Sequence, residues 1–353
     1  MQILLFNFVS CILFALVISR INYGYQAKRK LYSFFAFGCL FILRVFVDPD
    51  SLPDLETYLQ IFDFSRLLTW DEVLKGEAIT VSEYGYLIIN KICAEITNNY
   101  HLLFICISVI WIYSYYKFFN RYSPYYAVPI LLLIVTEFPQ SIFVLRQHLA
   151  MAIWLFAYPY IINRDLKRFC FVGILAFSMH MSSFIFFPIY FLYGVSNKKM
   201  FVIAMILVAF GCKLLFGNLG FINESMGLAY DNYITGAKSG HSNMTDFVMR
   251  ISYLIAFVYI FKGRVFEEGV NRLLLTTLTF SAILAFFGTS FSLLGRLVRY
   301  FTPAVMIMIP IAMKNIKSKI MRYGFFGVIL LLNSISVYIG SMSEWIKNFK
   351  LLF

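Results

Sequence analysis

The sequence predicts an all-α fold, a polytopic integral membrane bundle of about 11–13 transmembrane or re-entrant helices with two larger extracytoplasmic loops. Three observations carry this. Of 353 residues, 61% are hydrophobic and 14% charged, against roughly 25% charged in a soluble domain. Apolar runs of about 17–25 residues, long enough to cross a bilayer, recur along the chain. Lysine and arginine concentrate in the short turns between those runs, as they do in cytoplasmic loops.

The net charge of +12 therefore reads as positive-inside bias and affinity for anionic headgroups, with no nucleic-acid partner expected. No polar stretch is long enough to bury its own core, so residues 1–353 are expected to form a single membrane domain. Cys11, Cys39, Cys93, Cys106, Cys170 and Cys212 have neither zinc-ligand nor disulfide-framework spacing and read as packing residues. The chain has no P-loop, Gly-rich dinucleotide turn, HExxH, Gly-x-Ser-x-Gly elbow or clustered metal ligands, so no cofactor and no metal is expected.

In chain order, the run at 3–19 lacks a basic n-region and a small-residue cleavage site, and reads as a retained helix. Arg20 and Lys28-Arg29-Lys30 put the first turn inside the cell, and 31–47 crosses outward. Residues 48–83 hold nine of the 18 acidic residues, a density that excludes them from lipid and makes them the first large outer loop. Within it, Pro53 followed by helical apolar spacing from Asp54 to Phe62 predicts a short helix lying on the membrane surface. Residues 84–96, interrupted by Lys91 and Glu95, read as a half-inserted helix.

Crossings follow at 101–116, 125–138 and 141–162, ending at the basic turn Arg164 to Arg168. Residues 169–194 have basic turns at both ends, so the chain goes out and back, with His180 at the top of a hairpin about 18 Å up at 1.5 Å per residue. A crossing at 200–216 leads to a second outer loop, 217–246. Later crossings are expected at 247–261, 273–291, 302–313 and 324–341, with Arg296 and Arg299 at an outer turn.

This topology, set by loop charge alone, gathers the misfit polar residues in one layer. Arg146 and His180 lie in runs otherwise made for lipid, where an ionisable group costs roughly 2.5–3.5 kcal/mol. Arg296 and Arg299 join them at the outer turn, with Asp54 and Glu83 in the outer loop. Arginine binds phosphate oxygens through two N–H groups at once and neutralises a departing diphosphate. A histidine or carboxylate can take the proton from an attacking hydroxyl. Plainer readings stand beside these. Arg146 can snorkel to the headgroups, His180 can hydrogen-bond with Ser182 and Ser183, and Arg296 and Arg299 can be interfacial anchors.

Taken together, Asp54-x-x-x-Tyr58-x-x-x-Phe62, Glu83-Tyr84-Gly85-Tyr86 with Asn90, Arg146-Gln147-x-Leu149-Ala150, His180-x-Ser182-Ser183 and Arg296-x-x-Arg299-Tyr300 resemble the EpsG/Wzy-type polysaccharide polymerases of bacteria. The likeness spans roughly residues 54–301 and implies a membrane glycosyltransferase that uses no nucleotide sugar. Its substrate would be an oligosaccharide repeat unit on undecaprenyl diphosphate, polymerised at the outer face of the bacterial cytoplasmic membrane into O-antigen, capsule or exopolysaccharide. The resemblance makes Arg146 the diphosphate clamp, with Arg296 and Arg299 sharing that charge. It makes His180 a base or positioning group, with Glu83 and Asp54 as further catalytic candidates. Tyr58, Gln147, Ser183 and Tyr300 would hold the glycan or support the site. Membrane lipid, a chain-length regulator and a flippase are the expected partners. The competing readings are a flippase for lipid-linked oligosaccharide, since buried charge also marks transport paths, and a histidine-dependent O-acyltransferase, for which loop charge puts His180 on the wrong side.

Overall fold

A computed structural model describes residues 2–75, 83–195, 240–261, 269–289, 296–339 and 348–352. The expected crossing at 200–216, loop residues 217–239, and the turn residues Lys198, Lys199, Lys262, Arg264 and Gly295 lie outside them. Among the described residues every regular element is a helix, and the β-type pairing is one isolated bridge between Val47 and Leu351. Four of these helices are long and apolar enough to cross a membrane: Gln2–Arg20, His101–Tyr122, Met244–Phe261 and Val270–Gly288. The chain is a polytopic all-α membrane protein. It divides into two compact units, Met1–Ala157 with Lys167–Phe184 and Ile320–Phe353, and Tyr158–Leu166 with Ile185–Lys319.

In the first unit, α1 (Gln2–Arg20) and α2 (Tyr25–Val45) pack together. Phe6, Leu13, Leu16 and Val17 of α1 stay exposed, as a lipid-facing stripe requires. The second helix begins earlier than charge predicted because Arg29 turns inward. It donates to Asn120 Oδ1 and to the carbonyl of Phe119, each at 2.6 Å, in the C-terminal turn of another helix. That helix, α6 (His101–Tyr122), runs a turn and a half beyond the expected crossing and lies antiparallel to α2.

The acidic outer stretch is helical. Proline opens α3 (Pro53–Leu67), as the surface-helix pattern predicts. Thr69 and Glu72 then cap α4 (Trp70–Lys75) reciprocally, the Thr69 N–H donating to Glu72 Oε2 at 2.7 Å and the Glu72 N–H to Thr69 Oγ1 at 3.3 Å. Helix α5 (Tyr84–Ile96) has its expected limits, and its two charges answer each other one turn apart, Lys91 to Glu95 at 2.6 Å. Helix α3 packs on α5, and α5 on α6.

Where two uninterrupted crossings were expected, at 125–138 and 141–162, the chain is broken into pieces. These are α7 (Ala127–Thr136), α8 (Phe138–Ser141), α9 (Leu145–Trp154), a 3₁₀ turn Leu155–Ala157 and α10 (Tyr158–Ile162). Two prolines explain the breaks. Pro139 opens α8, and Pro159 has no N–H to return to Leu155, so the preceding turn tightens. The break after α8 frees the Ser141 carbonyl inside the unit. Arg44, fully buried on α2, donates to it, with Nε on Ser108 Oγ at 3.2 Å and the guanidinium 4.7 Å from the Trp111 ring centre.

Helix α11 (Leu166–Met179) stops one residue before His180, and a 3₁₀ segment Met181–Phe186 follows. The reversal predicted at His180 is therefore a break in the helix, held by the Ser183 N–H on the His180 carbonyl at 3.0 Å and the Trp154 Nε1–H on the Ser183 carbonyl at 3.1 Å.

The second unit contains α12 (Pro188–Val195), α13 (Gly240–Phe261), α14 (Val270–Gly288), a 3₁₀ turn Val298–Phe301 and α15 (Thr302–Asn315). Helix α13 packs on α14 and α15, and Arg250 Nη2 donates to Thr302 Oγ1 at 2.8 Å. Arg272 lies buried within α14 with its guanidinium 4.3 Å from the Tyr193 ring centre.

Candidate functional site

The polar cluster of the first unit forms where the start of α5, the start of α9 and the end of α11 meet, beside α3. Glu83 is the residue immediately before α5, and its carboxylate reaches two partners. Arg146 Nη1 donates to Oε2 at 2.6 Å, and His180 Nδ1 lies 2.6 Å from Oε1. The Met181 N–H also points to Oε1, at 3.4 Å. All three side chains are open to a ligand, with 16% of Glu83 and 26% each of Arg146 and His180 accessible.

Local sequence sets each position. Arg146 is the second residue of α9, brought there by the break after Ser141. His180 is aimed by the end of α11. Glu83 can approach because Gly85 follows it. A Cβ at Gly85 would collide with Ser178 Oγ and stand 2.6 Å from Met179 Cε, so only glycine lets α5 come this close to α11. Tyr58 of α3 lies under the guanidinium of Arg146, ring centre to Cζ 5.8 Å, and its ring meets Tyr86 edge-on at 5.8 Å.

Electrostatics fix the protonation of the central group. Burial pushes the Glu83 carboxyl up, but the hydrogen bond with His180 and the Arg146 charge outweigh it and hold the group at about 2, against an ordinary 4.5. An ionised carboxylate only accepts, so His180 donates through Nδ1 and, in its neutral form, keeps Nε2 as an acceptor. The starts of α5 and α9 lie beside these side chains, and a helix start carries a partial positive charge.

Residues 29–350 match the EpsG family. The chain belongs to the EpsG family. Membership supports, in general terms, a polysaccharide-polymerase type of role in a membrane protein. No curated protein and no solved structure matches the chain.

Of the residues singled out by sequence in this EpsG-family chain, the fold brings Tyr58, Glu83, Arg146 and His180 together. Asp54, exposed one turn before Tyr58 on α3, is close enough to act electrostatically on the Tyr58 phenol. Gln147, next to Arg146, is buried. Ser183 is fully buried and its backbone braces the turn after His180, a supporting position in this structure. Arg296, Arg299 and Tyr300 belong to the second unit, where Arg296 is exposed, Arg299 half-buried and Tyr300 buried at the 3₁₀ turn.

Several buried polar residues escaped the sequence reading, among them Arg44, Glu137 and His148 in the first unit. Arg44 sits in a run taken as a plain crossing, although the rule that flagged Arg146 applies to it equally. Glu137 and His148 approach to 3.8 Å in the first unit, both almost wholly buried. His148 was passed over as the variable position between Gln147 and Leu149.

Proposed function

We propose that this EpsG-family chain joins oligosaccharide repeat units carried on undecaprenyl diphosphate, at the extracytoplasmic face of the bacterial inner membrane. The observation that carries the reading is the single carboxylate of Glu83 engaging a guanidinium and an imidazole at once. Arg146 is then the clamp for the donor diphosphate, and Glu83 holds that clamp in place through one oxygen.

Through its other oxygen Glu83 orients His180, and a carboxyl at about 2 is too weak a base to serve at neutral pH. His180 is therefore the base. A hydroxyl oxygen of the acceptor unit attacks the anomeric carbon of the donor glycan, and its proton passes to His180 Nε2. The bond from that carbon to the phosphate oxygen breaks, and its electron pair leaves with undecaprenyl diphosphate, whose charge Arg146 and the helix starts offset. Tyr58 and Asp54 on α3 border the glycan side. A flippase would be the natural supplier of substrate.

The test supplies the purified protein with a synthetic diphospholipid repeat unit and no nucleotide sugar. A ladder of glycan lengths is expected. Movement of intact lipid between leaflets without new glycosidic bonds would overturn the polymerase reading in favour of a flippase.

A further inference from the structure

Helices α2 and α6 enclose an open groove of about 330 Å³ on a face of the first unit away from the contacts of Glu83, lined by Phe34, Phe37, Gly38, Phe41, Tyr113 and Tyr116 among others. The lining is almost entirely apolar. Gly38 forms an open stretch of its wall, with no atom within 4 Å of where a Cβ would stand. Phe34 is 81% exposed at the rim.

Both walls end on a lysine at the same end. On α2 the stripe runs Phe41, Gly38 and Phe37, Phe34, then Lys30 one turn on. On α6 it runs Val109, Tyr113, then Lys117 one turn on. The helices are antiparallel, with Arg29 beside Asn120 and Arg44 beside Ser108, so Lys30 and Lys117 flank one mouth. Lys117 Nζ stands 5.5 Å from the Tyr113 ring centre. Lys30 is exposed and makes no ion pair among the described residues, whereas its neighbours Lys28 and Arg29 are bound to Ser19 and Asn120. Neither helix carries a carboxylate.

We propose that this groove holds one acyl chain of an anionic glycerophospholipid, with its phosphate between Lys30 and Lys117. Size argues for that occupant. The volume is at the bottom of the roughly 300–1,000 Å³ range of ligand pockets. The rise along α2 from Ser33 to Phe41 is about 12 Å, less than half of the ~30 Å hydrocarbon core. That depth suits a chain from one leaflet and is too short for a long polyprenyl tail. The mouth also coincides with the basic turn that loop charge assigns to the cytoplasmic side, where anionic lipids and paired cations meet.

The experiment is native mass spectrometry of the full chain in detergent, offered equal amounts of phosphatidylglycerol and phosphatidylcholine with identical chains. Wild type is expected to retain one phosphatidylglycerol in preference to phosphatidylcholine, with about fivefold of that preference from each lysine. The double variant Lys30→Gln/Lys117→Gln, altered only at exposed side chains, loses the preference. Gly38→Phe, whose Cβ would meet no atom within 4 Å, puts a ring into the groove, and is expected to keep its melting temperature and lose both lipids. Equal retention of the two lipids by wild type, an undiminished preference in the lysine variant, undiminished retention in Gly38→Phe, or displacement of phosphatidylglycerol by polyprenyl phosphate would each overturn the assignment.

Discussion

Replacing Glu83 by Gln removes the charge that Arg146 and His180 share, and its cost follows from the carboxyl's displacement. The fall from 4.5 to about 2 corresponds, at 1.36 kcal/mol per pH unit, to about 3 kcal/mol favouring the ionised form in the folded protein. With 16% of the side chain accessible, solvent screening trims this figure toward about 2 kcal/mol without erasing it. Because the folded-state value is depressed, the contribution is complete above about pH 4.5 and is lost as pH falls from there toward 2. Glu83→Gln is therefore expected to melt below wild type at pH 7, with the gap narrowing as pH falls below about 4.5 and still partly present at pH 3. Tryptophan-fluorescence melts of both proteins in the same detergent at pH 7, 5, 4 and 3 measure it, since every other carboxylate cancels in the difference. In the repeat-unit assay the variant should lose about 10²–10⁴ in rate, the range for a mis-set general base. A gap that is absent at pH 7, or constant down to pH 3, refutes the electrostatic account, and a ladder formed within threefold of the wild-type rate refutes the role given to Glu83.

Arg146→Lys keeps the charge but loses the planar fork, and should cut polymer formation at least about tenfold while inserting normally. Full-length polymer from Arg146→Ala would remove the clamp altogether. Arg146→Ala also leaves Glu83 with His180 alone, so the stability lost on acidification should be smaller and complete at a higher pH than in wild type, as read in the same melts. Tyr58→Phe keeps the ring under Arg146 but removes the phenol oxygen hydrogen-bonded to the guanidinium, and should raise KM for the lipid-linked unit less than Tyr58→Leu, which also loses about 0.5–2 kcal/mol of cation–π support; equal KM values in the two variants would discount the ring. Gly85→Ala drives a methyl into Ser178 and Met179, and should cost about 1–3 kcal/mol in thermal stability, partly restored by adding Ser178→Gly. An unchanged melting temperature in Gly85→Ala would mean that α5 and α11 have room to part.

Much of this protein was legible from residues alone. Composition and loop charge were enough for an all-α membrane bundle, because lipid leaves a chain no other way to satisfy its backbone than helices or a closed barrel. Helix limits were legible where a local signal marks them: Pro53 opens α3, and α5 runs over the expected 84–96. They failed where prolines act within an apolar run, as at Pro139 and Pro159, since hydropathy averages over the break. Arg146 and His180 stood out singly because charge in such company is costly, and Glu83 entered through the outer loop and the family resemblance. That one carboxylate would take both the guanidinium and the imidazole was decided only by tertiary structure. The three residues are separated by 63 and 97 positions along the chain, and the approach of α5 to α11 over a bare Gly85 sets their meeting. The buried bond from Arg44 to the Ser141 carbonyl belongs to the same class, for no sequence pattern announces which orphaned carbonyl a distant cation will find. Sequence fixes what each segment must hide from lipid; only packing determines which polar groups are left facing one another once it is hidden.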